Sequence, residues 1–205
     1  MPKFNDIEKE NIKKELMSKG KELFLLNGLR KTSIDNITEE CSIAKGSFYT
    51  FFSSKEELFS EIWLAEEKKY NLYLKDIMMT TKDTKKMIIN ICRATFDYLE
   101  LNPFHKNLIE RNEIDYLFRK LPADQYKKLV DQDLFTFLPL LEELQNEGKL
   151  KKIDPEIIMG IHRCLSYLPL LKKEVGADIF PKVVDSLINM IADGLTNQNN
   201  EEFTQ

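Results

Sequence analysis

Apolar side chains recur along this chain at spacings of three and four, the period of an amphipathic helix, and no segment keeps the two-residue alternation of a half-buried strand. Ile12, Leu16, Leu23 and Phe24 form one such stripe over about residues 6–27, with Gly20 on the same face. A glycine there costs about 1 kcal/mol of helix propensity, so it either marks close packing of another element or is a tolerated defect. Asn27-Gly28 supplies the stop. Farther along, the same period predicts helices over about 54–79, 84–101, 104–120, 122–147, 155–173 and 177–195. Asn102-Pro103, Leu121-Pro122, Glu147-Gly148, Asp154-Pro155 and Gly176 punctuate their borders. The pattern is that of an all-α protein.

One stretch differs. TSIDNITEECSIAKGSFYTFFSSKEEL, Thr32 to Leu58, is cut into short pieces. Thr32 or Ser33 caps a helix that carries Ile34, Ile37 and Cys41 inward, with Asp35 near its positive end. Ser42 breaks it, a second short helix runs over about 45–51, and Ser54 with Glu57 forms a capping box for a long third helix. Two short helices joined by a tight turn and braced by others match the helix-turn-helix plan. The second helix must enter a major groove about 12 Å wide, so about two turns suffice. Ile34, Ile37, Cys41, Ile43, Phe48 and Phe52 can share a small core beneath it, leaving Lys45, Gly46, Ser47, Tyr49 and Thr50 outward. A cation, a glycine that permits close approach, two hydroxyls and a phenol are groups that meet phosphates and base edges. A plain solvated helix face is the competing reading of the same spacing.

The residues TSIDNITEECSIAKGSFYTFFSSKEELF resemble the DNA-binding motif of the TetR family of bacterial transcriptional regulators. Thr32, Ile37, Ile43, Lys45-Gly46-Ser47-Phe48-Tyr49, Phe52 and Lys55-Glu56-Glu57-Leu58 carry the resemblance, which spans about residues 10–60. It implies an all-helical homodimer, with a three-helix head on operator DNA and a larger helical body that binds a small ligand and thereby lowers DNA affinity. It also implies that Tyr49, Thr50 and Lys55 contact phosphates. Lys45, Gly46 and Ser47 would sit at the groove floor or its edge, and Thr32 and Ser33 would hold a phosphate at the start of their helix, where free N–H groups favour anions. Repression is the commoner behaviour in the family. Two residues depart from its pattern: Ser42 stands where the turn usually has glycine, and Ala44 where a hydroxyl usually caps the recognition helix, at a cost of about 1 kcal/mol.

The domain organisation expected on this basis is a head over residues 1–53, a ligand-binding and dimerisation body over 54–197, and a polar, disordered tail over 198–205. The long helix that starts at Ser54 would be the connecting rod. The last two long helices carry Ile157, Ile158, Ile161, Leu165, Leu168 and Leu171, then Val183, Val184, Leu187, Ile188 and Ile191. Apolar residues on more than one face fit a four-helix dimer interface, with simple core burial as the alternative. Candidate pocket residues are Phe96, Phe104, His105, Asn112, Tyr116, His162 and Tyr167, polar or aromatic groups on otherwise buried faces, for each of which a satisfied core residue is the commoner explanation. Met78, Met87 and Met159 stand in the same position. LPLL occurs twice within helical patterns, and its prolines, Pro139 and Pro169, are expected to bend helices, either around the core or around a cavity.

Charge and composition then prune the list of functions. The net charge is −4, and the first sixty residues hold ten basic and ten acidic side chains, so any DNA contact depends on local placement of cations. Three widely spaced cysteines offer neither a disulfide framework nor a metal pattern, and a reducing cytoplasm is the simplest setting. There is no apolar signal segment and no run long enough to span a bilayer. HExxH, GxSxG, P-loop and glycine-rich nucleotide fingerprints are absent, so catalysis, metal and cofactor are not expected. A protein-interaction module remains the alternative to a DNA-binding regulator.

Overall fold

A computed structural model describes residues 4–197. The expected tail over 198–205 lies outside the described residues. Helices follow one another in the order α1 (Asp6–Asn27), α2 (Ile34–Glu40), α3 (Lys45–Phe48), α4 (Lys55–Thr80), α5 (Thr84–Leu101), α6 (Pro103–Glu110), α7 (Ile114–Lys120), α8 (Ala123–Asn146), α9 (Pro155–Tyr167), α10 (Lys172–Val175) and α11 (Phe180–Leu195). A 3₁₀ turn, Leu168–Leu171, joins α9 to α10. The extended backbone among the described residues amounts to a single antiparallel bridge between Leu150 and Thr196. The fold is all-α.

Two compact units divide the chain. The first comprises the residues up to Lys69 together with Asn102–Leu129; the second comprises Tyr70–Leu101 and Val130 onward. The expected cut between 53 and 54 falls inside the first unit, just before α4. In that unit Leu16, Phe24, Leu29, Ile37, Phe48, Phe52, Leu58 and Ile62 form a buried core, as the inward faces of α1 to α4 require. Phe104, Leu108, Leu117 and Leu121 of α6 and α7 complete it. Gly20 faces α4 at close range: a Cβ there would stand 2.8 Å from Leu58 Cδ2. Close packing, one of the two readings of Gly20, is the one the structure adopts.

The second unit is organised around α5, which packs on both α9 and α11. Val184, Ile188, Ala192 and Leu195 of α11 point inward at helical spacing and meet Met87, Ile88, Cys92 and Ala94 of α5 in one cluster.

Three expected helices are broken differently. The segment 104–120 is two helices, split where Asn112 takes a left-handed φ of 51°. Asn102-Pro103, read as a stop, is also a start: the Asn102 side chain accepts the N–H of Phe104, with Pro103 in the first turn. The run 155–173 leaves α-helical form at Tyr167, because Pro169 has no N–H to give the Leu165 carbonyl; that carbonyl accepts from Leu168 instead. Finally, α11 begins at Phe180, with Pro181 in its first turn.

Candidate nucleic-acid interface and body cavity

Local chemistry sets α2 and α3. Ser33 is the N-cap of α2: its Oγ accepts the N–H of Asn36, while Asn36 Oδ1 accepts the Ser33 N–H. Ser42 meets the demand of the turn directly, adopting a φ of 52°, a conformation a glycine would enter at less cost. Ala44 makes no side-chain cap to α3. Only one turn of α3 is regular helix, but Thr50, Phe51 and Phe52 continue the winding through N–H bonds to Ser47 and Phe48 carbonyls. Phe48, fully buried, pins the element to the core.

The opposite face is open. Lys45, Gly46, Tyr49 and Thr50 are exposed and Ser47 and Ser33 are half-buried. Apart from its chain neighbours and the backbone of its own helix, nothing stands within 4 Å of a Cβ built on Gly46, so another surface can approach the backbone there. Tyr49 holds its ring edge-on against Phe48 while about half of the residue remains exposed. Lys45 Nζ lies 2.9 Å from Asp35 Oδ2 of α2, and that hydrogen bond and charge raise its pKa. The residues expected at the groove are thus brought together on one surface.

The side chains of Thr32 and Lys55 are engaged within the protein. Thr32 is buried, and its hydroxyl donates to the Gly28 carbonyl at 2.7 Å. Lys55 extends its ammonium into the loop between α1 and α2. There it donates to the carbonyls of Leu29, Arg30 and Thr32 at 2.8, 3.0 and 2.7 Å. An ammonium has three N–H groups, so all of them are spent. Burial lowers its pKa. Both side chains shape the loop.

Sequence reasoning missed the other half of this loop clamp. Glu113 is buried, and its carboxylate accepts the N–H groups of Leu29 and Arg30 at 2.9 and 3.0 Å. Asn107 and Arg111 donate to the Leu25 carbonyl at the end of α1, and Arg111 also reaches Leu26. Gly28, at φ 82°, is obligatory in this setting, because a Cβ would stand 2.7 Å from Arg111 and 2.8 Å from Glu113. The legible hint was Glu113 itself, an acidic residue at the N-cap of α7 that does not cap α7. Nearby, Tyr116 donates to Glu56 at 2.9 Å and packs under the Arg30 guanidinium.

The seven pocket candidates scatter. Phe104 and His105 are core residues of the first unit, where His105 Nε2 meets Glu67 at 2.8 Å. Asn112 forms the α6–α7 turn, and Tyr116 belongs to the loop cluster. Tyr167 is exposed, and Phe96 leans on Phe180. Phe96 borders a hollow of about 210 Å³ with Arg93, Asp97 and Phe180, and His162 lines an apolar one of about 60 Å³ in the same unit. The walls of the smaller one are Leu74, Ile88, Cys92, Phe137, Leu141 and Leu165, with Met78, Met87 and Met159. Neither Pro139 nor Pro169 is a wall residue, although Phe137 and Leu141 flank the first. Among the described residues no cluster of acidic, histidine or cysteine side chains could hold a metal, and no helix is long and apolar enough to cross a membrane.

Known proteins share these features. Residues 16–62 match the model for bacterial regulatory proteins of the tetR family. The uncharacterized HTH-type transcriptional regulator YhgD of Bacillus subtilis is 24% identical over 146 residues, covering 71% of this chain and 75% of that protein. The HTH-type transcriptional regulator QacR of Staphylococcus aureus is 30% identical over 118 residues, covering 54% and 63%. A TetR-family transcriptional regulator from Pectobacterium atrosepticum shares the fold at a TM-score of 0.71 with 18% identity, over 94% of this chain and 98% of that one. With the motif and the open helix-turn-helix face, residues 16–62 are a DNA-binding domain of the tetR family type, and the chain as a whole is similar in fold to TetR-family regulators.

Proposed function

We propose that the protein is a cytoplasmic repressor that binds operator DNA as a homodimer and is released by a small molecule held in the second unit. One observation carries the reading: the short helix α3 is anchored inward by Phe48 and leaves Lys45, Gly46, Tyr49 and Thr50 exposed together. Tyr49, Thr50 and Ser33 are the phosphate contacts in this reading, with Lys45, Gly46 and Ser47 toward the bases.

Dimerisation through α9 and α11 is supported by what these helices leave uncovered. Ile157 on α9 and Met190 on α11 are exposed apolar residues, 56% and 68% accessible, and Leu171 and Ile179 in the connection between the two helices are exposed as well. A second copy would cover them. In such a dimer the two α3 elements serve successive major grooves about 34–36 Å apart. Helix α4 belongs to both units, so a ligand that favours one body conformation can change head spacing through it. The coupling would be about 1–3 kcal/mol, the usual differential binding energy between two states.

The test is binding of the purified protein to DNA from its own upstream region, selected against random sequence and titrated with salt. Affinity should fall steeply as salt rises, because phosphate neutralisation releases counterions. Binding that ignores both salt and sequence would end the DNA-binding reading, and binding unmoved by a metabolite extract would end the effector reading.

A further inference from the structure

We propose that Glu113, on the corner between α6 and α7, is a positioning residue for DNA binding: without meeting DNA itself, it fixes the loop through which the chain enters α2 and so sets α2 and α3 for the duplex. The inference rests on the DNA-binding reading and adds a residue from outside the helix-turn-helix.

The loop is short, and its backbone is held from two sides. Helix α1 ends at Asn27 and Ser33 already caps α2, so Gly28 to Thr32 make the whole connection. Glu113 is only 5% exposed, and each of its carboxylate oxygens accepts one of two successive N–H groups. Leu29 donates to Oε2 at 2.9 Å and Arg30 to Oε1 at 3.0 Å. From α4, the Lys55 ammonium donates to the carbonyls of Leu29, Arg30 and Thr32. Leu29 and Arg30 are thus gripped at both N–H and C=O, which leaves their peptides no freedom to turn. Opposite charges flank the loop: burial lowers the Lys55 pKa, and the Glu56 and Glu113 carboxylates offset part of that. The same corner holds the end of α1 through Asn107 and Arg111, so the loop is referenced to the helix it leaves as well.

Short-range ties carry this placement onward. Thr32 donates both its N–H and its hydroxyl back to the Gly28 carbonyl. The next residue, Ser33, is the N-cap of α2, and Asp35 in the first turn of α2 accepts from Lys45 at the start of α3 at 2.9 Å. Ile37, Phe48 and Phe52 anchor the helix-turn-helix inward by apolar packing that Glu113 takes no part in. A chain without the carboxylate therefore keeps those anchors while the entry into α2 relaxes. The sign of the effect separates positioning from charge. Glu113 is an anion, so a purely electrostatic role makes its removal tighten binding to a polyanion. A role confined to stability leaves the affinity of the folded chain unchanged. Positioning makes removal weaken it.

The experiment titrates the full-length natural chain, Glu113→Gln and Glu113→Ala with DNA selected by the natural protein, at a temperature where circular dichroism shows each chain folded. Gln keeps one acceptor oxygen, so binding should weaken about three- to tenfold, and about ten- to a hundredfold for Ala, which keeps none. Affinity equal to or tighter than the natural chain's in folded Glu113→Gln and Glu113→Ala overturns the proposal. Should neither variant fold, amide exchange in the natural chain decides. Before DNA is added, the Leu29 and Arg30 N–H groups should exchange at least about a hundredfold more slowly than in a free peptide. Unprotected amides overturn the proposal. A natural chain that binds no DNA ends the regulator reading, whereas DNA binding that both variants share strikes only the role of Glu113.

Discussion

The loop between α1 and α2 and the hollow beside His162 treat polarity in opposite ways. Around the loop, Lys55 takes three carbonyls, Glu113 takes two N–H groups, and Asn107 and Arg111 take the end of α1. Every one of these contacts is directional, so the loop has one arrangement. The hollow is bounded by dispersion contacts and one hydroxyl–imidazole node, and three methionines can repack at little cost. Under the proposed function the first arrangement suits a surface that docks on a duplex, and the second a chamber that answers a guest.

Substitutions can break or sharpen that contrast. The largest effect belongs to Glu113→Ala, which orphans the N–H groups of Leu29 and Arg30. It should lower stability by about 2–4 kcal/mol in urea unfolding, and DNA affinity should fall with the ordering of the loop. Lys55→Met comes next, with a loss of about 1–3 kcal/mol from uncompensated carbonyls. If Lys55 were instead a phosphate contact, stability would be kept and the salt slope of DNA binding would shrink by about one ion. In the second unit, Thr95→Val keeps shape and removes the acceptor of both Tyr70 and His162. It should cost about 1–2 kcal/mol in thermal unfolding without touching DNA affinity of the unliganded protein. Tyr49→Phe removes an exposed hydroxyl, so stability should hold, while affinity for all DNA sequences should drop by about 0.5–1.5 kcal/mol in a binding titration.

The smallest effect is acid sensitivity. Burial alone would raise the Glu66 carboxyl, but hydrogen bonds from Lys21 and Lys69, at 2.8 Å each, and their charges more than offset it and hold the pKa below its usual range. A carboxyl depressed in the folded state stabilises above its unfolded pKa, and that contribution is lost as pH falls through the folded value. Glu66→Gln should therefore flatten the acid limb of a stability–pH curve and leave the neutral plateau lower.

Helices were legible wherever a border residue acts locally. Ser33, Asn102, Asp154 and Gly28 start or stop elements by hydrogen bonds or φ values within a few residues of themselves. The Ser54 box was nearly read: Ser54 does accept the Glu57 N–H, but the Glu57 carboxylate reaches back to Ser53. The outward set on α3 was legible because Phe48 and Phe52 alternate with it at helical spacing. The carbonyl partners of Lys55 were not legible, because a cation beside a helix-turn-helix reads the same whether it is held by the loop or open to phosphate. The pocket candidates separate only in the folded chain, for a related reason. His105 and His162 look alike in sequence, and only packing puts one against Glu67 and the other in an apolar wall.

What the sequence determined by itself is the helical period, the caps and the recognition motif, because each depends on residues within about one or two turns of one another. The tertiary structure decided which polar side chain serves the backbone and which lines the hollow, and it placed α6 and α7 with the head core. Those outcomes join residues such as Arg30 and Glu113, or Thr95 and His162, that lie 83 and 67 positions apart. No local pattern encodes such a pairing, because the free energy of a buried hydrogen bond is defined only once both partners have left water together.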